Sequence, residues 1–446
     1  MASPVSSANR TPSRHALPTV HCQRKTQTRG RFANLIVVGF CTEEVQTVPQ
    51  SASPARFSAI RGSFAGVAVG PYMDVSARSL LYCGARSALD RYLDANAEGR
   101  LNKSEIFAAV ETTRSLYARL IGADADEIAL TRNVTDGIAT FATSLPWESG
   151  DNVVVCEALE HPANLLPWYG LRPRFGVIVK TVAPVEGRIP LDGILTAIDE
   201  RTRVVAVSSV TFAPGFRFGV AALGAECRRR GVLLSVDGAQ SVGSIDTDVA
   251  ALNVDALAAS TQKALMGLYG LGFLYVRRPV AESLDPIFLS RFGIATEGHE
   301  ASVGNPAEYR LAKGARRFDV GNFNFPAAIA VGRSLELLLE LGMKNVESYV
   351  CGLAKKLAVG FIEAGLPVFG GEPGSDGAHI VAVGRSLGLE HDSAGDERMR
   401  DLYAYLSANN VRLSIRRDLL RFSLHVYNNE EDVANVVELV RRWNRR

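Results

Sequence analysis

VLLSVDGAQSVG (232–243) and VDALAASTQKALMGLYGLGFLYVRR (254–278) decide how this chain is read. Each opens on a short apolar run, rich in β-branched residues in the first, that predicts a buried strand, and each run gives way to a turn. Asp237 closes the first run and Lys263 lies just past the second. A carboxylate and an amine twenty-six residues apart are therefore expected at neighbouring strand ends of one sheet.

The same texture extends outward. EIALT (127–131), NVVVCE (152–157), GVIVKTVA (176–183) and RVVAVSSV (203–210) predict strands. VTDGIATFATSL (134–145), PLDGILTAIDE (190–200) and AALGAECRRRG (221–231) predict the helices among them. Strands alternating with helices predict an α/β chain with a mostly parallel central sheet flanked by helices. Ligands in such sheets bind beyond the carboxyl ends of the strands. Asp237, Ser260 and Lys263 all fall there.

Past about residue 326 the pattern becomes long helices interrupted by short strands, HIVAVG (379–384), VRLSIR and LLRFSLH. Residues 326–446 are expected to form a smaller α+β C-terminal domain, and 61–325 an N-terminal segment with the large domain. Residues 1–60 are rich in Ser, Thr, Pro, Arg and Gln, with no acidic residue before Glu43. They are expected to be a disordered or targeting extension. A transit peptide would imply an organelle, and otherwise the expected location is cytoplasmic. A secretory signal fits less well, because LIVVGF (35–40) is short and far from the N-terminus.

The formal charge of +2, from 49 basic and 47 acidic residues, gives no reason to expect nucleic acid or an anionic membrane as partner. No apolar run approaches the ~20 residues of a membrane span. The six cysteines (22, 41, 83, 156, 227, 351) show no pairing rhythm and are expected to be free thiols.

Taken singly, Lys263 reads equally as a loop lysine and Asp237 as a turn aspartate. Together at one sheet edge they suit pyridoxal phosphate (PLP). An amine holds its aldehyde as a Schiff base, and a carboxylate keeps its ring nitrogen protonated. TRNVTDG (131–137) takes a strand into a helix, where free N–H groups and the helix dipole attract phosphate. Thr135 would add a hydroxyl there, although the stretch also reads as an ordinary N-cap. GLYGLG (267–272) reverses the glycine spacing of a dinucleotide fingerprint and precedes a strand, so it reads as a tight turn.

DGAQS, then S-x-x-K, then G-x-G-x-L-Y-V, in that order, resemble the class V aminotransferase family over roughly 100–440. That family is the fold-type I branch of PLP enzymes that includes cysteine desulfurases, selenocysteine lyases and isopenicillin N epimerase. The resemblance implies a Schiff base on Lys263, Asp237 on the pyridine nitrogen and Gln240 on the cofactor's 3-oxygen. It places Thr135, Asp136, Ser260 and Gln262 among the cofactor-binding residues. His161, in ALEHPANLLPWYGL, matches a histidine that stacks on the cofactor ring and exchanges protons. Arg421 matches the arginine that clamps the substrate's α-carboxylate, and Arg416 and Phe212 fall on the substrate side. RRFDVGNFNF (316–325) matches a segment that reaches a partner's phosphate. A homodimer is implied, with Asn322 standing where the family usually has threonine.

Three departures matter. Gln262 replaces a frequent histidine before the lysine. Phe212 falls where desulfurases place asparagine. No cysteine lies between Ser386 and Arg421, where desulfurases carry their nucleophilic loop, and Cys351 falls in a predicted helix. The expectation is a PLP enzyme acting on an amino acid or its derivative by removal of the Cα proton. A C–S or other β-lyase, or an aminotransferase, is expected, and not a persulfide-forming desulfurase. An isopenicillin N epimerase-like activity and a non-catalytic PLP-binding regulator are the alternatives.

Overall fold

Seven strands build the central sheet of the computed structural model, which describes residues 54–295, 308–388, 392 and 394–446. They are β1 Ile128–Thr131, β2 Asn152–Val155, β3 Ile178–Thr181, β4 Thr202–Ser208, β5 Leu233–Asp237, β6 Ala256–Ser260 and β7 Gly272–Val276, in the order β1-β7-β6-β5-β4-β2-β3. The run from β6 through β3 is parallel, as the alternating sequence predicts. β7 runs against both its neighbours. The chain between Ser260 and Gly272 is too short for a helical crossover, so it must turn back beside β6.

These strands read as continuous apolar runs because helices cover both faces of the sheet. Along β4, Val205 and Val207 enter one core while Val204 and Ala206 enter the other. Along β7, Phe273 and Tyr275 take the first face and Leu274 and Val276 the second. One core also receives Ala327, Val331 and Leu335 of the helix Phe325–Leu341. The expected domain boundary before residue 326 thus falls at the first residue of a helix that packs with the large sheet. The change of core falls within the helix Met343–Glu363. Val346 and Val350 belong to the large core, Leu353 and Leu357 to the small one.

The small sheet is antiparallel: β8 Ile380–Val383, β9 Ser414–Arg416 and β10 Leu419–Ser423, with β10 central. Residues 72–80 form a strap between the two sheets. Ser423 N–H donates to Met73 O, and Met73 N–H to Arg412 O, both at 2.8 Å. Farther along, Ser79 N–H donates to Gln262 O (2.8 Å), and Gln240 Nε2 donates to Ser76 O (3.1 Å).

The end of the stretch expected to lie outside the fold is helical, over Pro54–Arg61. Its Phe57 and Ile60 are buried, Phe57 stacks on Tyr349, and Arg61 grips Asp432 with both Nη atoms at 2.7 and 2.8 Å. LIVVGF (35–40), Cys22 and Cys41 lie outside the described residues.

Candidate active site

β4, β5 and β6 end at one cavity of about 710 Å³. Its lining includes Thr135, Asp136, His161, Phe212, Asp237, Gln240, Ser260, Gln262 and Lys263. Register explains the floor. Ser208 of β4 pairs with Asp237 of β5, and Asp237 pairs with Ala258 of β6, so Ser260 and Lys263 follow just beyond. Asp237 is buried, and its Oδ1 accepts from Ala239 N–H at 2.8 Å. Burial pushes its carboxyl above the usual range, opposed by the Lys263 charge. Burial likewise lowers the Lys263 ammonium to about 8, against the pull of Asp237. Arg421 and Arg416 add to the lowering.

The helix Val134–Ser144 starts at the same cavity. Asn133 caps it by accepting from Asp136 N–H at 2.9 Å. The N–H groups of the first turn have no acceptor within the helix. Thr135 is exposed to the cavity beside them. Asp136 lines the cavity, but its carboxylate is engaged by Arg132, at 2.9 Å from the backbone N and 2.8 Å from Nη2. Burial works against its charge, and the Arg132 hydrogen bonds hold its pKa below the usual value. Its contribution is to fasten the turn.

His161 precedes the helix Pro162–Tyr169 and caps it with Nδ1, which accepts from Ala163 N–H at 3.0 Å. With Nδ1 accepting that bond, Nε2 is the ring nitrogen placed to donate. The ring meets Phe212 edge-on, with centroids 5.2 Å apart. Glu160, one residue earlier, is fully buried behind the cavity. It accepts from Ser208 N–H (2.7 Å), Asn164 Nδ2 (2.8 Å) and the Ser208 hydroxyl. Burial pushes its carboxyl to about 7, the hydrogen bonds pull it down, and the nearby Asp237 raises it again.

Arg421 sits in β10, outside the lining proper. Its Nη1 donates to Phe212 O (3.0 Å) and its Nε to Ser414 Oγ (3.2 Å), while Nη2 stands 3.7 Å from Asp74 Oδ1. Arg416 does not line the cavity and pairs with Asp392. Asn322 is exposed, accepts from Arg291 Nη2 at 3.2 Å and is absent from the cavity of its own chain. Three contributors went unrecognised in the sequence. Asp74 and Ser76 lie in YMDVSARSLL (72–81), which carries no periodicity and reads only as a lead into the next helix. Tyr269, 64 % exposed, lines the mouth from within GLYGLG.

The donor set fits PLP. An amine faces a buried carboxylate, and hydroxyls and a helix start line the same cavity. Gln240 keeps a buried, unpartnered Oε1 at the wall. Fold and site together define a fold-type I PLP enzyme. The chain belongs to the class V aminotransferase family: residues 72–392 match the family Aminotransferase class-V. It is similar to the uncharacterized aminotransferase YcbU of Bacillus subtilis, 29% identical over 79% of this chain and 88% of that one. It is equally similar to a probable cysteine desulfurase of Pyrococcus abyssi, 29% identical over 81% and 91% of the two chains. Among solved structures, a cysteine desulfurase of Thermococcus onnurineus superposes with a TM-score of 0.75 at 25% identity, over 86% of this chain and 97% of that one. The cystine C–S lyase C-DES, solved with its product cysteine persulfide, has a TM-score of 0.74 at 22% identity, over 85% and 99%. No described helix is long and apolar enough to cross a membrane.

Proposed function

We propose that this enzyme acts on an amino acid or amino-acid derivative, either cleaving a bond at Cβ, with C–S substrates foremost, or transferring the amino group. PLP supplies the electron sink that makes the Cα proton acidic. Lys263 holds the cofactor and afterwards takes the Cα proton at Nζ. An amine lowered to about 8 is suited to that exchange near neutral pH. Asp237 would offer its carboxylate to the cofactor's ring nitrogen, which the bound PLP needs protonated. His161, fixed by its cap to Ala163, covers the ring and can pass a proton through Nε2. Thr135, Ser260 and Gln262 hold the phosphate, and Arg421 receives the substrate carboxylate. Asn322 completes a second copy's site in a homodimer.

The observation that carries this reading is the meeting of Asp237 and Lys263 on one cavity floor. A persulfide route is disfavoured because no described cysteine lines the cavity. Burial foremost pushes the thiols of Cys156, Cys227 and Cys351 each to about 12, far from a reactive thiolate.

The test is spectroscopic and chemical. The purified protein should be yellow, and borohydride should bleach it and fix the cofactor on Lys263. A colourless protein that takes up no PLP ends this reading. Keto acid with ammonia and sulfide identifies C–S elimination. Dependence on a keto-acid acceptor identifies transamination, and loss of optical rotation identifies epimerisation. Persulfide on an enzyme cysteine would reinstate desulfuration.

A further inference from the structure

Arg421 spends two of its three nitrogens on fixed partners, Ser414 Oγ and Phe212 O. Its Nη2 is buried without a hydrogen bond. Asp74 Oδ1, equally buried and unbonded, faces that corner at 3.7 Å, an ion-pair separation too long for a hydrogen bond. The strap cannot easily carry Asp74 away. Ser423 N–H holds Met73 O, Ser76 N–H holds Ser423 Oγ at 2.9 Å, and the N–H groups of Ala77 and Arg78 both return to Asp74 O. An anion reaching the last free corner of Arg421 must therefore settle against a second carboxylate.

We propose that Asp74 determines which anions Arg421 accepts: a substrate carboxylate takes the Nη2 corner only as Asp74 binds a proton. One proton from solvent goes to Asp74 for each carboxylate bound, and the resulting hydroxyl then donates to the incoming oxygen. This rests on Arg421 being the carboxylate handle.

Two buried carboxylates in contact share a proton, because their charges repel and neither is well solvated. Burial already raises the Asp74 carboxyl, while Arg421, Ser414, Arg416 and Arg78 hold it down. A ligand carboxylate on Nη2 diverts Arg421 and adds a negative neighbour, so both changes favour the protonated form. Among the described residues, titratable groups that feel the Asp74 charge include the Tyr72 and Tyr427 hydroxyls, whose pKa values burial raises, so they stay neutral through the working range. Carboxylate affinity should then fall by up to about tenfold per pH unit as pH rises.

The test uses the PLP-loaded enzyme and propionate, which cannot react. Calorimetry in HEPES and in Tris, buffers of different ionisation enthalpy, counts protons taken up on binding. The wild type should take up close to one near pH 7.5. Asp74→Asn should take up none, bind propionate tighter at pH 8, and show a flat affinity profile. Asp74→Ser should behave alike, which guards against a folding defect in one variant. Uptake that persists in both variants belongs to the Lys263 region and overturns the inference, as does absent uptake in the wild type or weaker binding in both variants. Arg421→Lys separates the two levels. If it leaves propionate binding unchanged, the carboxylate handle itself falls. If it weakens binding while both Asp74 variants match the wild type, only the role of Asp74 falls.

Discussion

The two sides of the active site handle buried polarity in opposite ways. On the large-sheet side, Glu160 is saturated by Ser208 and Asn164, and Asp237 is matched to Lys263. On the small-sheet side, Asp74 Oδ1, Arg421 Nη2, His379 Nδ1 and His425 Nδ1 are all buried without hydrogen bonds. Burial drives His379 to about 3 and His425 to about 4, so both rings stay neutral, and His425 Nε2 meets Gly243 O at 3.1 Å. An unbonded buried polar atom costs about 1–3 kcal/mol. Gln240 Oε1 is an exception on the large-sheet side, unbonded where the proposed cofactor would lie, whereas at Arg421 and Asp74 the proposed substrate would complete the hydrogen bonding. Under the proposed function, one wall is permanent machinery and the other receives a changing guest.

The hardest test of the machinery wall is Lys263→Ala. Product formation should fall by about 10⁴-fold, the upper range for losing a positioned acid–base group, while the fold survives. Steady-state assays beside circular dichroism would measure both, and retained turnover would break the assignment. On the guest wall, Arg421→Lys should lower kcat/KM by roughly 100-fold, mostly through KM, because a point charge replaces a fixed planar fork. A pure kcat effect would move Arg421 into the machinery.

Glu160→Gln probes saturation itself. Replacing one acceptor oxygen with an amide NH2 that faces the Ser208 and Asn164 donors should cost about 1–3 kcal/mol, read from the denaturant midpoint. It should also change the pH profile. A carboxyl raised to about 7 on folding binds its proton more tightly in the folded state. Its contribution is full below its ordinary pKa and lost as pH rises through about 7. Glu160→Gln should remove that decline, and an unchanged slope would place its origin elsewhere. The smallest effect is expected from Thr135→Val, which removes one hydroxyl from the phosphate end. PLP affinity should drop between about twofold and tenfold, seen in reconstitution titrations. No change would leave the helix N–H groups as the phosphate's main hold.

The large-sheet wall was legible because its determinants are local. Asp237, Lys263, Thr135 and His161 each follow an apolar strand in sequence, and a parallel sheet collects such positions at one edge. Asp136 shows the limit of that reading. Its place at the helix start was evident, but its commitment to Arg132 depends on side-chain direction. The strap was illegible because 72–80 lacks periodicity and takes its form from partners hundreds of residues away, such as Arg412 and Ser423. The helix over Pro54–Arg61 escaped notice for a related reason, since contacts with Tyr349 and Asp432 stabilise it.

The sequence by itself determined the layered α/β fold, the cofactor and the amine–carboxylate pair, because strand periodicity and turn position are written within a few residues. The folded arrangement alone set which charges pair around the site. It brought Asp74 against Arg421, left Arg416 to Asp392 and withheld Asn322 from its own chain's site. Those pairings join segments far apart in the chain, and no local pattern encodes which of several arginines a distant carboxylate will meet.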